Sequence, residues 1–420
     1  MTPRRTRRYY SAHPPPSVLL STHPLPTLTD DESPLSDASL SDLMIELRRH
    51  LHMYPEVGFR EHETSRYLRA CLDTYGFEIH GPLAQTGFYV DIEGAHPGPT
   101  VAYRTELDAL PAHDAKTCDY ASTVPGAAHL CGHDAHMAVA VGVALLLQER
   151  KDELHGTARV LFQPNEESSP NGAPVMIEDG VLDGVQEIYC IHVDPSLPAG
   201  IFGLIDGPAT AATAPFLVRV VSGQAGHSAR PHETIDTVWI ATQILNTFYQ
   251  LPGRIHDARR TAVLTACRFR AGEALNVIPD EVEFGGTLRC TDIESVRLLA
   301  GRMRAVAEQT GALHGAQVTY ETDLSLPPVI NDKKLVGEVR ETVIERFGED
   351  AAYTIPKPSM GGEDFAFYLR EVPGMLLRVG TSSGPETSYP LHHARFDVTE
   401  SALPEAARLM ADVVARRLSA

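Results

Sequence analysis

HLCGHDAHMAVAVGVALLLQERKDELHGTARVLFQPNEE, residues His129–Glu167, is the stretch that decides the fold. From Met137 to Leu154 it reads as a helix, and TARVLFQP, from Thr157, reads as a strand. Polar clusters bracket the pair. Three histidines, a cysteine and an aspartate fall in HLCGHDAH, and Glu166-Glu167 follow the strand at once. A helix leading into an apolar strand that ends on carboxylates is one unit of an α/β sheet, where functional groups collect beyond the carboxyl ends of strands.

The same alternation extends outward. PTVAYRTELD (residues 99–108) reads as a strand, APVMIEDGVL (173–182) as a short helix and EIYCIHV (187–193) as a strand. Strands alternating with helices from Leu40 to about Thr210 predict an α/β unit with a mostly parallel sheet and helices on both faces. A different pattern begins near residue 211. PFLVRVVSG, TAVLTACRFRAG, EVEFGGTLRC and QVTYETDLSL read as strands, with long amphipathic helices after the first and the third. That β-α-β-β-α-β order predicts a small ferredoxin-like α/β sandwich. The αβ pattern then resumes with a helix around Lys333–Phe347, the strand GMLLRVGT and a helix over Leu403–Arg417. The expected organisation is a larger discontinuous domain, 39–210 and 326–420, with a smaller domain, 211–325, inserted into it.

Composition narrows the function. The chain has 420 residues, 43% hydrophobic and 22% charged, as in a soluble globular protein. A formal net charge of -19 argues against binding a nucleic-acid backbone. No apolar run approaches the ~18 residues that span a bilayer. Six cysteines without a C-x-x-C pair suggest a reducing, cytoplasmic setting and no disulfide framework. Residues 1–38 are rich in arginine, proline and serine and read as a disordered tail, with a transit peptide as the rarer alternative. Order is expected from near Ser39.

Several strand ends carry chemistry-bearing side chains. PTVAYR runs into Glu106 and Asp108, ARVLFQP into Glu166-Glu167, and EIYCI into His192, while His392-His393 follow GMLLRVGT. Adjacent glutamates on a turning backbone point in different directions, so one carboxylate can bind a metal while the other stays free as a base. Taken singly, each has a plainer reading: a solvated acidic loop, a satisfied core histidine, a buried small cysteine. Together, Cys131, His133, Glu167, His192 and His392 supply thiolate, imidazole and carboxylate, the ligand types for zinc and similar ions. Five protein ligands exceed one tetrahedral ion and suit two ions sharing a bridge. A competing reading makes Cys131 a nucleophile with His133 or His136 as its base; it leaves Glu166-Glu167 and His192 unexplained.

With these residues in view, the chain resembles the metal-dependent amidohydrolases related to aminoacylase and to carboxypeptidases acting on acylated amino acids. The branch it is most similar to contains hippurate hydrolase and the indole-acetyl-amino-acid hydrolases. The resemblance runs from RRHLHMYPEVGF through RTELDALP, HLCGHDAH, LFQPNEE, MIEDGVLDGV, IHV, GHSARPH, NVIPDE and PSMGGEDFAFYL to LHHARFD, about residues 47–410. It implies that Cys131, His133, Glu167, His192 and His392 hold two divalent metal ions per subunit, zinc, manganese, cobalt or nickel, with Cys131 as the bridging thiolate. Glu166 is then the general base. The inserted domain becomes a lid and dimerisation domain, so a homodimer is implied. His227, in GHSARPH, would reach a neighbouring subunit's site and stabilise the oxyanion, and Asn276, in NVIPDE, would hold substrate.

The implied reaction is hydrolysis of a small N-acyl amino acid to a carboxylic acid and an amino acid, with metal-bound water as nucleophile. Dipeptidase or deacetylase activity, or a non-catalytic metal-binding homologue, are the alternatives. Three motifs depart from the branch. Arg104-Thr105-Glu106-Leu107-Asp108 stands for Arg-Ala-Asp-Met-Asp, Asn165 replaces an alanine before the glutamates, and Gly362 replaces a serine. All proposed ligands survive these changes. Glu106, Asp108 and His136 are expected to support the ligands from behind. His392 is favoured over His393 because it directly follows Leu391.

Overall fold

The computed structural model describes residues 36–419. The expected tail through residue 35 lies outside them. In chain order the elements begin with α1 (Asp37–Met53), α2 (His62–Thr74), β1 (Ile79–Leu83), β2 (Gly87–Glu93), β3 (His96–Glu106), α3 (His133–Glu149), β4 (His155–Gln163), α4 (Gly172–Glu178), β5 (Val185–Pro198), β6 (Phe202–Leu204) and β7 (Gly207–Pro208). Then come β8 (Ala212–Val221), β9 (Gly226–His227), α5 (Thr237–Arg254), β10 (Ala262–Ala271), β11 (Val277–Ile278), β12 (Glu281–Cys290), α6 (Ile293–Leu313) and β13 (Gln317–Thr322). The chain closes with β14 (Ile330–Asn331), α7 (Lys333–Phe347), β15 (Ala352–Thr354), α8 (Phe365–Tyr368), β16 (Gly374–Ser382) and α9 (Ala402–Arg417).

Two element starts differ from the sequence reading. Helix α1 begins at Asp37, ahead of Ser39, because the Ser36 hydroxyl accepts the Ser39 N–H and caps it. Helix α3 begins at His133, four residues before Met137. Its first turn is polar and buried, and that hid it from an apolar-periodicity reading.

The eight-stranded sheet runs β1-β2-β4-β3-β5-β16-β6-β15. Its central strands β4, β3, β5 and β16 are mutually parallel, and antiparallel pairs occur at β1-β2, β2-β4 and β16-β6. Successive side chains on these strands enter opposite cores. On β3, Val101 and Tyr103 join the core under α1, α2, α3, α7 and α9, whereas Ala102 faces the core under α4 and α8. Both faces are therefore covered, which is why the strands read as near-continuous apolar runs.

The second sheet has the order β10-β12-β8-β13, all neighbours antiparallel, with α5 and α6 packed on it through Ile244, Phe248, Leu299 and Met303. This is the ferredoxin-like arrangement. The chain passes from the first sheet to the second through β7 and returns through β14, and these two segments pair with each other, Ile330 opposite Pro208.

Candidate metal centre

Four segments converge at the carboxyl ends of the parallel strands. Gly132, between Cys131 and His133, has φ +89° and caps α3, and a Cβ there would lie 2.4 Å from Val193 Cγ2. Only glycine fits both the left-handed backbone and the close approach. The turn delivers Cys131 and His133 side by side. Cys131 Sγ lies 3.5 Å from His192 Nε2.

The imidazoles are oriented from behind. His133 Nδ1–H donates to the Asp108 carbonyl oxygen (2.8 Å), and His192 Nδ1–H donates to the Val193 carbonyl oxygen (2.8 Å). Each leaves Nε2 as the lone-pair nitrogen a metal needs. His136 differs. Its Nδ1 donates to Glu106 Oε2 (2.9 Å) and its Nε2 accepts the Val193 N–H (3.0 Å). With both nitrogens engaged it is not placed to be a ligand, although its ligand atom lies within 4.8 Å of those of Glu106 and His133.

The carboxylates follow the same logic. Asp108 accepts the N–H of Glu166 on one oxygen and that of Glu167 on the other, both at 3.0 Å. Asp108 does this from the turn beyond β3, which ends at Glu106. Glu106 pairs with the fully buried Arg104, which also meets Asp364 (2.6 Å) and Glu363 (3.1 Å). Glu166 is backed by that pair, its Oε1 accepting the Asp364 N–H at 3.4 Å.

Ligand atoms of Cys131, His133 and His192 lie within 4.8 Å of one another, and so do those of Cys131, Glu167 and His392. The sulfur is common to both groups. His392 has φ +67° and its N–H donates to the Leu130 carbonyl (2.7 Å), which brings its Nε2 to 3.3 Å from Glu167 Oε1. His393 instead stacks on Tyr389. His227 and Asn276 are not among these groups. They sit on the β9-β11 ribbon of the second sheet's unit, where the Ser228 N–H donates to the Asn276 carbonyl (3.1 Å) and His227 is exposed.

The donor set fits divalent cations. Glu167 Oε1 is buried without a well-aligned hydrogen-bond donor. Among the described residues no lysine or arginine pairs with Glu166, Glu167 or Cys131. Burial and the Glu167 charge push the Cys131 thiol well up, and burial with the Glu363 and Glu167 charges pushes the Glu166 carboxyl well up. Burial and Arg378 hold His192 well below its usual range, hence neutral. Buried thiol and carboxyl donors held toward their neutral forms are an arrangement that metal charge would stabilise as anions, and a coordinating thiol loses its proton outright.

The model of the Peptidase family M20/M25/M40 matches residues 102–416. The chain belongs to that family. N-acetyl-L-cysteine deacetylase of Bacillus subtilis is 35% identical over 398 residues, covering 93% of this chain and 92% of that one. IAA-amino acid hydrolase ILR1-like 4 of Arabidopsis thaliana is 35% identical over 382 residues, covering 90% and 86%. Among solved structures, the Bacillus subtilis YXEP protein, described as a dinuclear metal binding peptidase from the M20 family, superposes with a TM-score of 0.79 at 35% identity, covering 91% and 99%. The chain is thus a hydrolase of the M20 family, whose relatives are named as deacetylases, amidohydrolases and carboxypeptidases. Its fold is the mixed α/β fold of these neighbours.

Some supporting residues escaped the sequence reading. Arg104, Gln163 and Asp364 form one buried network, with Gln163 Nε2 donating to both Asp364 oxygens (2.9 and 2.7 Å). The available signal was a lone arginine inside an otherwise apolar strand, which demands a buried anion.

Proposed function

We propose that this chain hydrolyses the amide bond of N-acyl amino acids with two divalent cations, and that the Glu166-Glu167 turn carries the division of labour. Glu167 joins Cys131 and His392 as one ligand group, while Cys131, His133 and His192 form the other. Zinc, manganese, cobalt and nickel all suit this donor set. When bound, two such ions make water acidic enough to attack at neutral pH and polarise the amide carbonyl.

The chain's own residues supply the rest. Glu166 takes the proton of the attacking water and delivers it to the departing nitrogen. Asp108 holds the turn through both N–H groups, so Glu166 and Glu167 diverge from a fixed backbone. The His227 Nδ1 accepts the Ala229 N–H (3.1 Å), which leaves Nε2–H as an outward donor for an oxyanion. Asn276, beside it on the ribbon, orients substrate.

His227 is exposed within its own chain, so it serves the site of a partner copy. Residues 211–325 act as the lid and dimerisation domain of a catalytic domain built from 39–210 and 326–420. Edge strand β10, with Val263 and Phe269 exposed, offers the pairing surface. The free cysteines, and the absence among the described residues of a helix able to cross a membrane, accord with a cytoplasmic setting.

The names of two relatives, N-acetyl-L-cysteine deacetylase and IAA-amino acid hydrolase, both describe an acyl group on an amino acid. The test is a panel of N-acyl amino acids and dipeptides offered to metal-reconstituted protein. Release of free amino acid from the acylated members is the expected result. Cleavage of dipeptides alone, or of acetyl derivatives alone, would replace the reading with a peptidase or a deacetylase.

A further inference from the structure

The segment Pro55–Glu61 has no role assigned above, yet it reaches both strand ends that carry the centre. The Glu56 carbonyl accepts the Ala109 N–H (2.8 Å), one residue after Asp108. Five residues on, Glu61 Oε1 accepts the Asn165 N–H (3.0 Å), one residue before Glu166. Its Oε2 accepts the Thr86 hydroxyl (2.9 Å). Glu61 is fully buried and, among the described residues, pairs with no cation.

Consecutive N–H groups of Asn165, Glu166 and Glu167 therefore all donate to buried carboxyl groups, the first to Glu61 and the next two to Asp108. Asn165 has φ +50°, a conformation that asparagine tolerates better than most residues. Its amide nitrogen donates to the carbonyls of Ser168 (3.0 Å) and Pro170 (2.6 Å). A Cβ on Gly58 would lie 1.6 Å from Asn165 Oδ1, so the segment is pressed against the turn.

We propose that Glu61 is a positioning residue for the Glu166-Glu167 turn, acting by accepting the Asn165 N–H. A buried acceptor without its own counter-ion is an expensive way to cap a loop. It is warranted where the loop aims a ligand and a base, because partners behind metal ligands are worth about 10–100-fold in affinity or activity. The proposal rests on the reading of Glu167 as a ligand and Glu166 as the base.

The test compares wild type with Glu61→Ala, Glu61→Gln and Thr86→Val. Three readouts are taken: zinc affinity of the metal-stripped protein, kcat and KM at saturating zinc, and amide exchange in a peptide covering residues 161–170. Glu61→Ala is expected to weaken zinc binding and lower kcat by about tenfold or more with little change in KM, and to speed amide exchange. Glu61→Gln keeps an acceptor for Asn165 and should restore all three. Thr86→Val removes only the other partner and should match wild type. A purely structural role would lower the melting temperature of Glu61→Ala and leave zinc affinity and kcat like those of Thr86→Val, which overturns the proposal. Should Glu61→Ala fail to fold, Glu61→Asp replaces it: its carboxylate is too short to reach Asn165, so wild-type zinc affinity there also overturns the proposal. If the wild type cleaves no acyl-amino acid, the activity reading falls, while zinc affinity and amide exchange still decide the role of Glu61.

Discussion

Glu106 Oε2 accepts the Nδ1–H of His136 at 2.9 Å, and this contact reaches the metal centre through His136 Nε2 and the Val193 backbone. Glu106 also pairs with the buried Arg104. Removing one partner of a buried pair strands the other, at a cost of about 3–5 kcal/mol. Glu106→Ala should therefore lower stability by that order, seen in urea unfolding, and weaken zinc binding. Glu106→Asp, the residue usual in the related branch, should keep most of both. An unchanged unfolding midpoint in Glu106→Ala would remove Glu106 from the centre's support.

Cys131 is common to both ligand groups. Cys131→Ser replaces a soft thiolate by a hydroxyl that ionises far less readily. Metal content after dialysis should fall below two ions per chain, with affinity at least about tenfold weaker. Retention of both ions at wild-type affinity would show that the sulfur is not a bridge. Inactivation by alkylation without metal loss would favour the nucleophile reading instead.

Glu166→Gln keeps the shape of the turn and leaves Glu167, the proposed ligand, in place. Turnover should drop about 100- to 10,000-fold, the usual contribution of a positioned proton carrier, with metal content unchanged. Near-wild-type turnover would sink the assignment of the base.

The exposed His227 should act across subunits. Glu166→Gln and His227→Ala, each inactive alone, should recover about a quarter of wild-type activity when mixed and allowed to exchange partners, since one site per hybrid dimer is intact. No recovery in a mixture shown to contain hybrid dimers would place His227 in its own chain's site.

Burial pushes the Glu61 carboxyl up to about 7, with the Asp108 charge adding to it. The folded value lies above the unfolded one, so the native state holds the proton more tightly. Stability from this group is complete below about pH 4.5 and is lost as pH rises through about 7, a change of roughly 3 kcal/mol at most. Wild-type melting temperature should decline between pH 5 and 8 more steeply than that of Glu61→Gln. Parallel curves would show that Glu61 titrates normally.

The sequence by itself determined the α/β alternation, the ferredoxin-like order from residue 211 and the identity of the side chains around Cys131. These are local signals: apolar periodicity, strand ends and residue type. Where they were weak, the structure differs. The start of α3 at His133 was hidden because its first turn is polar yet buried. Only the tertiary structure brings His392, and not its neighbour His393, beside Glu167, because that placement depends on a left-handed backbone tied to Leu130, far away in the chain. It also brought Glu61 to Asn165 and Arg104 to Asp364. Buried carboxyl groups find their donors across the fold, and sequence spacing carries no record of that pairing.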